Sequence, residues 1–504
     1  MAETAVFHLL ANLAPFLQGE VNLLSGVREA MEDIRDEFER MSAFLIVADA
    51  TEERDPELKV WVKQVRDAAY DTEYVLDKFK LHLAQHHGDG FGGFLRKSFY
   101  FPKTLKARHQ IASEIQRYSE RSSRLRSLFV WGPMDSLPNA SLRELFRHGS
   151  RLLNVLDLSG IPLDTIPNEV FKLIHLRYLG LTNTKVKMVP KLIGKLENLE
   201  TLDLGRTYVT ELPDEILHLQ KLRNLISFHR IPTTANLKLR DLCGFKSPSQ
   251  IGRLQYLQVL TLIEADQNSE GGISIAKELG RLTQLRELSI GNLRREDGVI
   301  LCSSIEKLSN LRKLCVMSTK EDEILDLQSL SPVPRFLQEL YLDGRLEKFP
   351  RWIPSLRGLF VLTLGWSKLR DDPLQSLQEL PNLAKLVFEQ TCEGEVLCFK
   401  AGGFQRLKRL RLSNLKGLRW VRVEEGAMPH LEALIIRGSE LMEEVPSGIQ
   451  HLTHVQTFEL GDMSEKLISK LNREVQDENY RKIAHIPEVI YWYWEHGQWK
   501  VKFL

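Results

Sequence analysis

Leu125-Arg126-Ser127-Leu128-Phe129-Val130 is the first of fourteen related phrases in the chain. The others begin at Leu153, Leu176, Leu199, Leu222, Leu257, Leu285, Leu311, Leu337, Leu359, Leu383, Leu407, Leu431 and Val455. Each reads L-x-x-L-x-L, with Ile, Val, Phe or Ser sometimes in the last place. Most starts are about two dozen residues apart, a period at which one supersecondary unit stacks on the next. Units of this kind cannot bury their apolar faces alone, so the array forms a solenoid with one continuous core.

A strand phrase of this form at this period is a leucine-rich repeat. Its fourth and sixth residues point inward from a short strand, and the remainder returns along the outer side. Ile166-Pro167, Val189-Pro190, Leu212-Pro213, Phe349-Pro350 and Val445-Pro446 recur at one point of that return. There the chain must be extended, which suits proline and the residue before it.

The 504 residues carry 68 basic and 67 acidic side chains, so no net charge draws the chain to nucleic acid. Cys243, Cys302, Cys315, Cys392 and Cys398 are scattered, with no C-x-x-C and no paired cap. That pattern fits a reducing compartment better than a disulfide framework. The start Met-Ala-Glu-Thr has no basic leader region, and no apolar run approaches a spanning length. The expectation is a cytoplasmic chain with at most peripheral membrane contact.

Residues 1–120 read differently. Val6, Leu9, Leu10, Leu13 and Leu17 share one face of a first helix that Pro15 interrupts. Ile34, Phe38, Met41 and Leu45 mark a second helix, and Trp61 to Phe79 a third, opened by Asp55-Pro56. A fourth spans roughly Lys103 to Glu120. The expected architecture is a four-helix coiled-coil-type bundle at 1–120, a repeat horseshoe at 121–462 and an aromatic tail at 463–504.

The start MAETAVFHLLANLAPFLQGEVNLLSGV, the stretch VWVKQVRDAAYDTEYVLDKF, the repeats and the tail HIPEVIYWYWEHGQW occur in a telling order. Together they resemble plant intracellular immune receptors with a coiled-coil bundle, a nucleotide-binding module and leucine-rich repeats. Glu73-Tyr-Val-Leu-Asp77 stands where the family has its EDVID motif, with Tyr74 replacing an acid. The resemblance implies that Glu73 and Asp77 dock on arginines of the repeats. It also implies that the helix bearing Val6, Leu9, Leu10, Leu13 and Leu17 can serve assembly or membrane insertion. Packing of that helix within its own bundle is the simpler alternative.

The family's switch is missing between bundle and repeats, where Glu120 runs almost directly into Leu125. No G-x-x-x-x-G-K-S/T occurs, and Gly90 to Ser98 has the wrong spacing for a phosphate cradle. No cofactor and no metal are therefore expected. Neither H-E-x-x-H nor G-x-S-x-G occurs, so catalysis is not expected either.

Two surfaces remain. The second residue of each phrase falls on one lateral row, where Arg126, Arg177, Arg223, Arg286 and Arg312 are interrupted by Asn154, Glu200 and Gln258. The concave face offers Lys385, Arg409, Arg411 and Arg437 late in the array, with Tyr341 and Trp366 nearby. Arg, Tyr and Trp commonly anchor protein interfaces, which suits an acidic protein ligand.

The expected function is innate immunity. The repeats would recognise a pathogen effector or a guarded host protein, and the bundle would self-associate or engage a full-length receptor. Two readings stand beside it: a repeat scaffold outside immunity, and a truncated gene model of an ATP/ADP-switched receptor.

Overall fold

The computed structural model describes residues 126–130, 152–230, 242–265, 274–471, 477–495 and 498–503. All belong to the second of two units, Ala112–Leu504. The expected bundle, with Glu73, Asp77, Val6, Leu9, Leu10, Leu13 and Leu17, lies outside these residues.

All fourteen phrases carry strands. The first five give β1 (Ser127–Phe129), β2 (Val155–Asp157), β3 (Tyr178–Gly180), β4 (Thr201–Gly205) and β5 (Asn224–Arg230). After a two-residue strand, β6 (Leu242–Cys243), come β7 (Val259–Glu264), β8 (Glu287–Leu293), β9 (Lys313–Ser318), β10 (Glu339–Asp343) and β11 (Val361–Gly365). Then follow β12 (Lys385–Glu389), β13 (Val396–Phe399), β14 (Arg409–Ser413), β15 (Trp420–Val423), β16 (Ala433–Arg437) and β17 (Thr457–Gly461). The phrase strands pair in parallel, each with the next, third residue opposite third residue, as in Lys385 opposite Arg409 and Arg409 opposite Ala433. Strands β13 and β15 form a separate parallel pair, and β6 runs antiparallel to the end of β5.

Burial follows the phrase. Leu176, Leu179 and Leu181 are fully buried, as are their counterparts Leu199, Leu202 and Leu204. Each such side chain is worth about 1.5–3 kcal/mol of transfer free energy, so the repeated leucines are what hold one unit on the next. On the outer side the prolines are extended as their spacing predicts. Pro167, Pro190 and Pro213 have φ of −60°, −67° and −71°, and each precedes a 3₁₀ turn. Their carbonyls accept from Val170, Ile193 and Ile216, closing those turns.

The second-position row is a continuous backbone ladder. The Arg126 carbonyl accepts from the amides of Asn154 and Val155, that of Asn154 from Arg177 and Tyr178, and so on unit by unit. The series runs through to the Gln456 carbonyl, which accepts from Glu488 at 3.0 Å. Side chains at these positions therefore sit on one lateral edge at the strand spacing of about 4.8 Å.

The ladder does not stop at residue 462. β18 (Glu488–Glu495) adds in parallel to β17, and β19 (Gln498–Phe503) folds back antiparallel on β18. The residues expected to form a separate tail thus contain two strands of the same sheet. The reason lies in Ile486-Pro-Glu-Val489-Ile-Tyr491, a further phrase written without leucine. Ile486 and Val489 are buried, and Tyr491 packs against the core. A pattern search keyed to leucine passes over it.

One backbone feature also escapes the sequence. The eighth phrase position turns into the left-handed region in many units, including Gly160, Asn183, Arg206, Trp366, Gln390, Asn414 and Asp462. There the amide reaches across to the next unit: Trp366 donates to Glu389 at 2.7 Å and Asn414 to Arg437 at 2.7 Å. The interstrand bond stabilises a conformation that L-residues otherwise disfavour.

Candidate ligand-binding surface

The concave sheet brings three of the expected cations together. Lys385 on β12 lies opposite Arg409 on β14, and Val387, two residues further along β12, lies opposite Arg411. Lys385 and Arg409 make no ion pair among the described residues. Arg411 is half-buried, and its Nε donates to the Ser413 hydroxyl at 3.0 Å. Burial, then the neighbouring guanidiniums of Arg409 and Arg411, hold the Lys385 ammonium below its usual pKa, with Glu339 opposing. Burial and then Arg437 act in the same direction on Arg411, against Glu389 and Glu459. Lys385 and Arg409 are exposed and Arg411 is half-buried; like charges on adjacent strands repel one another, and an anionic group placed among them would relieve that cost.

Arg437, expected in the same cluster, is already committed. Its Nη2 contacts Glu459 Oε2 at 2.7 Å, with both side chains about a quarter exposed. Its guanidinium also lies over the Trp492 ring, 5.8 Å from the centroid. Glu459 is on β17 and Trp492 on β18, so Arg437 ties three strands together at the C-terminal end.

Tyr341 lies on β10, two strands from Lys385 on β12. Tyr341 packs with Phe228, Leu262, Cys315 and Met317 on the middle of the sheet. Its hydroxyl donates to Glu339 at 2.9 Å, and Lys313 lies over its ring. Lys313 stands between Glu287 and Glu339, at 3.9 and 3.7 Å, an acid–base–acid series along the third-position row. The sequence shows that series once third positions are read together. Trp366 occupies the eighth position, in the left-handed turn leaving β11 (φ +55°), and not an outward strand position. Asp157 and Asp203, at the fifth position of two early phrases, are buried and bonded to the backbone: the Asp203 carboxylate accepts from the Gly205 amide at 2.9 Å, and that of Asp157 from the Ser159 amide at 3.0 Å.

The lateral row is exposed at Arg126, Arg177, Arg223, Arg286 and Arg312. Glu200 lies 3.9 Å from both Arg177 and Arg223, which partly neutralises that pair. Arg286 and Arg312 are consecutive in the row and make no ion pair among the described residues. The acids expected to meet this row, Glu73 and Asp77, lie outside the described residues.

No group of three or more His, Cys, Asp or Glu among the described residues could hold a metal. No helix among them is long and apolar enough to cross a membrane.

A family model described as a leucine-rich repeat region matches residues 124–482. The chain belongs to that family. A second model, the Rx N-terminal domain, matches residues 5–121, the stretch read above as a helical bundle. This leucine-rich-repeat protein is 33% identical over 273 residues to disease resistance protein RPM1 of Arabidopsis thaliana, covering 54% of its own length and 28% of RPM1. It is 29% identical over 355 residues to disease resistance protein RPH8A of the same plant, covering 68% of itself and 36% of that relative. The chain thus spans about a third of the length of these relatives. Among solved structures, a leucine-rich-repeat protein of Leptospira interrogans aligns over 72% of this chain and 96% of its own, at 21% identity and a TM-score of 0.45. An Rx N-terminal domain ahead of leucine-rich repeats, with these relatives, makes it a chain of the coiled-coil class of plant resistance proteins.

Proposed function

We propose that this leucine-rich-repeat protein acts in plant innate immunity, recognising an acidic segment of a pathogen effector or guarded host protein on its late concave sheet. The observation that carries this is the cluster of Lys385, Arg409 and Arg411, whose like charges are crowded and make no ion pair among the described residues. The relatives, described as disease resistance proteins, support the biological setting. The N-terminal region would mediate self-association or engage a full-length receptor, in the cytoplasm or peripherally at the plasma membrane. The chain would work by binding rather than catalysis, and without nucleotide, since the sequence has no phosphate loop.

The test combines Arg409→Glu and Arg411→Glu. The double variant is expected to bind a glutamate-rich peptide at least about tenfold more weakly, a change of roughly 1.4 kcal/mol, with unchanged circular dichroism. Undiminished binding would move recognition elsewhere. In leaves, the wild-type chain co-expressed with a full-length relative is expected to alter that relative's cell-death output, and the double variant to leave it unaltered. An equal effect of both would detach the immune role from this surface.

A further inference from the structure

Beside the basic cluster, the lateral edge opens into a groove of about 600 Å³. Two neighbouring rows each lose a side chain there. In the row preceding each phrase, Phe336, Asn382, Arg406 and His430 are large, but the residue between Phe336 and Asn382 is Gly358. In the second-position row Ala384 stands between Phe360 and Lys408, whereas the other phrases carry longer side chains there. Gly358 and Ala384 line the groove, the Phe360 ring forms an apolar wall 54% exposed, and Arg406, Lys408 and His430 form the far side. The one acid on the lining, Glu339, is already engaged by Lys313 at 3.7 Å and by the Tyr341 hydroxyl. Lys408 pairs with Glu432 at 2.7 Å. Arg406 Nη1 donates to the Asn382 side-chain Oδ1 at 2.8 Å and makes no ion pair among the described residues.

The groove is continuous with the concave cations through the chain itself. Ala384 is followed by Lys385 and Lys408 by Arg409, and the third phrase positions face the concave side while the second positions lie on the edge. A ligand crossing that edge meets positive charge on both sides and apolar surface in the middle.

We infer that this groove is an anchor pocket for an aromatic side chain of an acidic protein segment, seated against Phe360 over Gly358 and Ala384. The inference rests on the acidic ligand class proposed above and adds how that ligand is held. Offset or edge-on packing against Phe360 supplies the contact an aromatic ring prefers, and the adjacent Arg406 guanidinium favours a ring face. Flanking carboxylates reach Arg406 on one side and Lys385 and Arg409 on the other. The bound segment therefore straddles the sheet edge.

Fluorescence anisotropy on the full chain tests this with three labelled peptides: glutamates flanking a central tryptophan, the same peptide with alanine at the centre, and lysines flanking the tryptophan. The tryptophan–glutamate peptide is expected to bind about tenfold or more tighter than its alanine counterpart, as partial burial of a large apolar side chain dictates. Ala384→Leu fills the groove and is expected to abolish that difference while leaving the alanine peptide's affinity unchanged. Phe360→Ala, a truncation at an exposed site, is expected to shrink it in the same way and guards against a folding defect in the first variant. Equal binding of the two glutamate peptides, both weakened by Arg409→Glu with Arg411→Glu, would overturn the anchor pocket and leave the concave reading intact. Equal or tighter binding of the lysine peptide would overturn the acidic class, and no binding of either glutamate peptide would overturn both readings.

Discussion

Replacing Arg437 with alanine separates a structural cation from a ligand-binding one. The wild-type guanidinium makes a charge-assisted hydrogen bond to Glu459 at 2.7 Å, between side chains 27% and 21% exposed. Such a bond is worth about 1.5–3 kcal/mol, toward the lower end with this much solvent access. The Trp492 face adds about 0.5–1 kcal/mol, and removing Arg437 leaves the Glu459 carboxylate half-buried without its partner. Arg437→Ala is therefore expected to cost roughly 2–3 kcal/mol. Arg411→Ala, one strand-pair away, removes the Ser413 bond and the attraction to Glu389 and Glu459 but also relieves repulsion from Arg437, so its cost should stay within about 0.5 kcal/mol. Denaturant unfolding gives the comparison. Because a repeat array opens from its ends, hydrogen exchange across residues 486–495 locates the loss. A cycle with Glu459→Gln should show a coupling of about 1–2 kcal/mol. If Arg437→Ala costs no more than Arg411→Ala, or if the cycle is additive, the clamp is wrong and Arg437 rejoins the candidate ligand residues.

Gly448 has φ +83°, and a Cβ there would meet the Val423 carbonyl, so Gly448→Ala is expected to cost about 2–4 kcal/mol in the same denaturation assay. Gly402, at φ +74° with open space around it, should lose only about 1 kcal/mol as alanine; equal costs would discount the clash. The cationic form of Lys385 is disfavoured in the folded chain, a penalty present below its lowered pKa. It is relieved as pH rises towards the ordinary lysine value of 10.5. Ligand-free stability should therefore gain a positive slope in that window, which Lys385→Met removes, and the slope surviving in the variant would refute the assignment. A carboxylate bound there should raise the Lys385 pKa, so glutamate-peptide affinity should fall as pH climbs through the same window. Burial pushes the thiols of Cys315 and Cys392 up to about 12, so both should resist iodoacetamide at pH 8 until the chain unfolds. Mass spectrometry of the native protein reads this directly, and rapid labelling of either would contradict their burial.

The repeat phrase determined the architecture without help. Leu176, Leu179 and Leu181 need a common interior, a single unit cannot supply one, and stacking is the only arrangement that buries all of them. The same arithmetic placed Arg126, Arg177, Arg223, Arg286 and Arg312 on one edge, where the backbone ladder puts them. It also put Lys385 opposite Arg409, because parallel strands of equal phrase keep equal positions in register. Sequence alone could not say that Arg437 is spent on Glu459 and Trp492, since Trp492 belongs to a phrase with no leucine in it. Nor could it say that Trp366 turns out of the strand, which is decided by the amide bond to Glu389 in the next unit. The groove at Gly358 and Ala384 was likewise invisible, because a missing side chain becomes a cavity only once its neighbours in both rows are fixed around it. Residue identity sets what each position can bury or charge. Contact between units that are about two dozen residues apart in sequence decides which of those charges remain free.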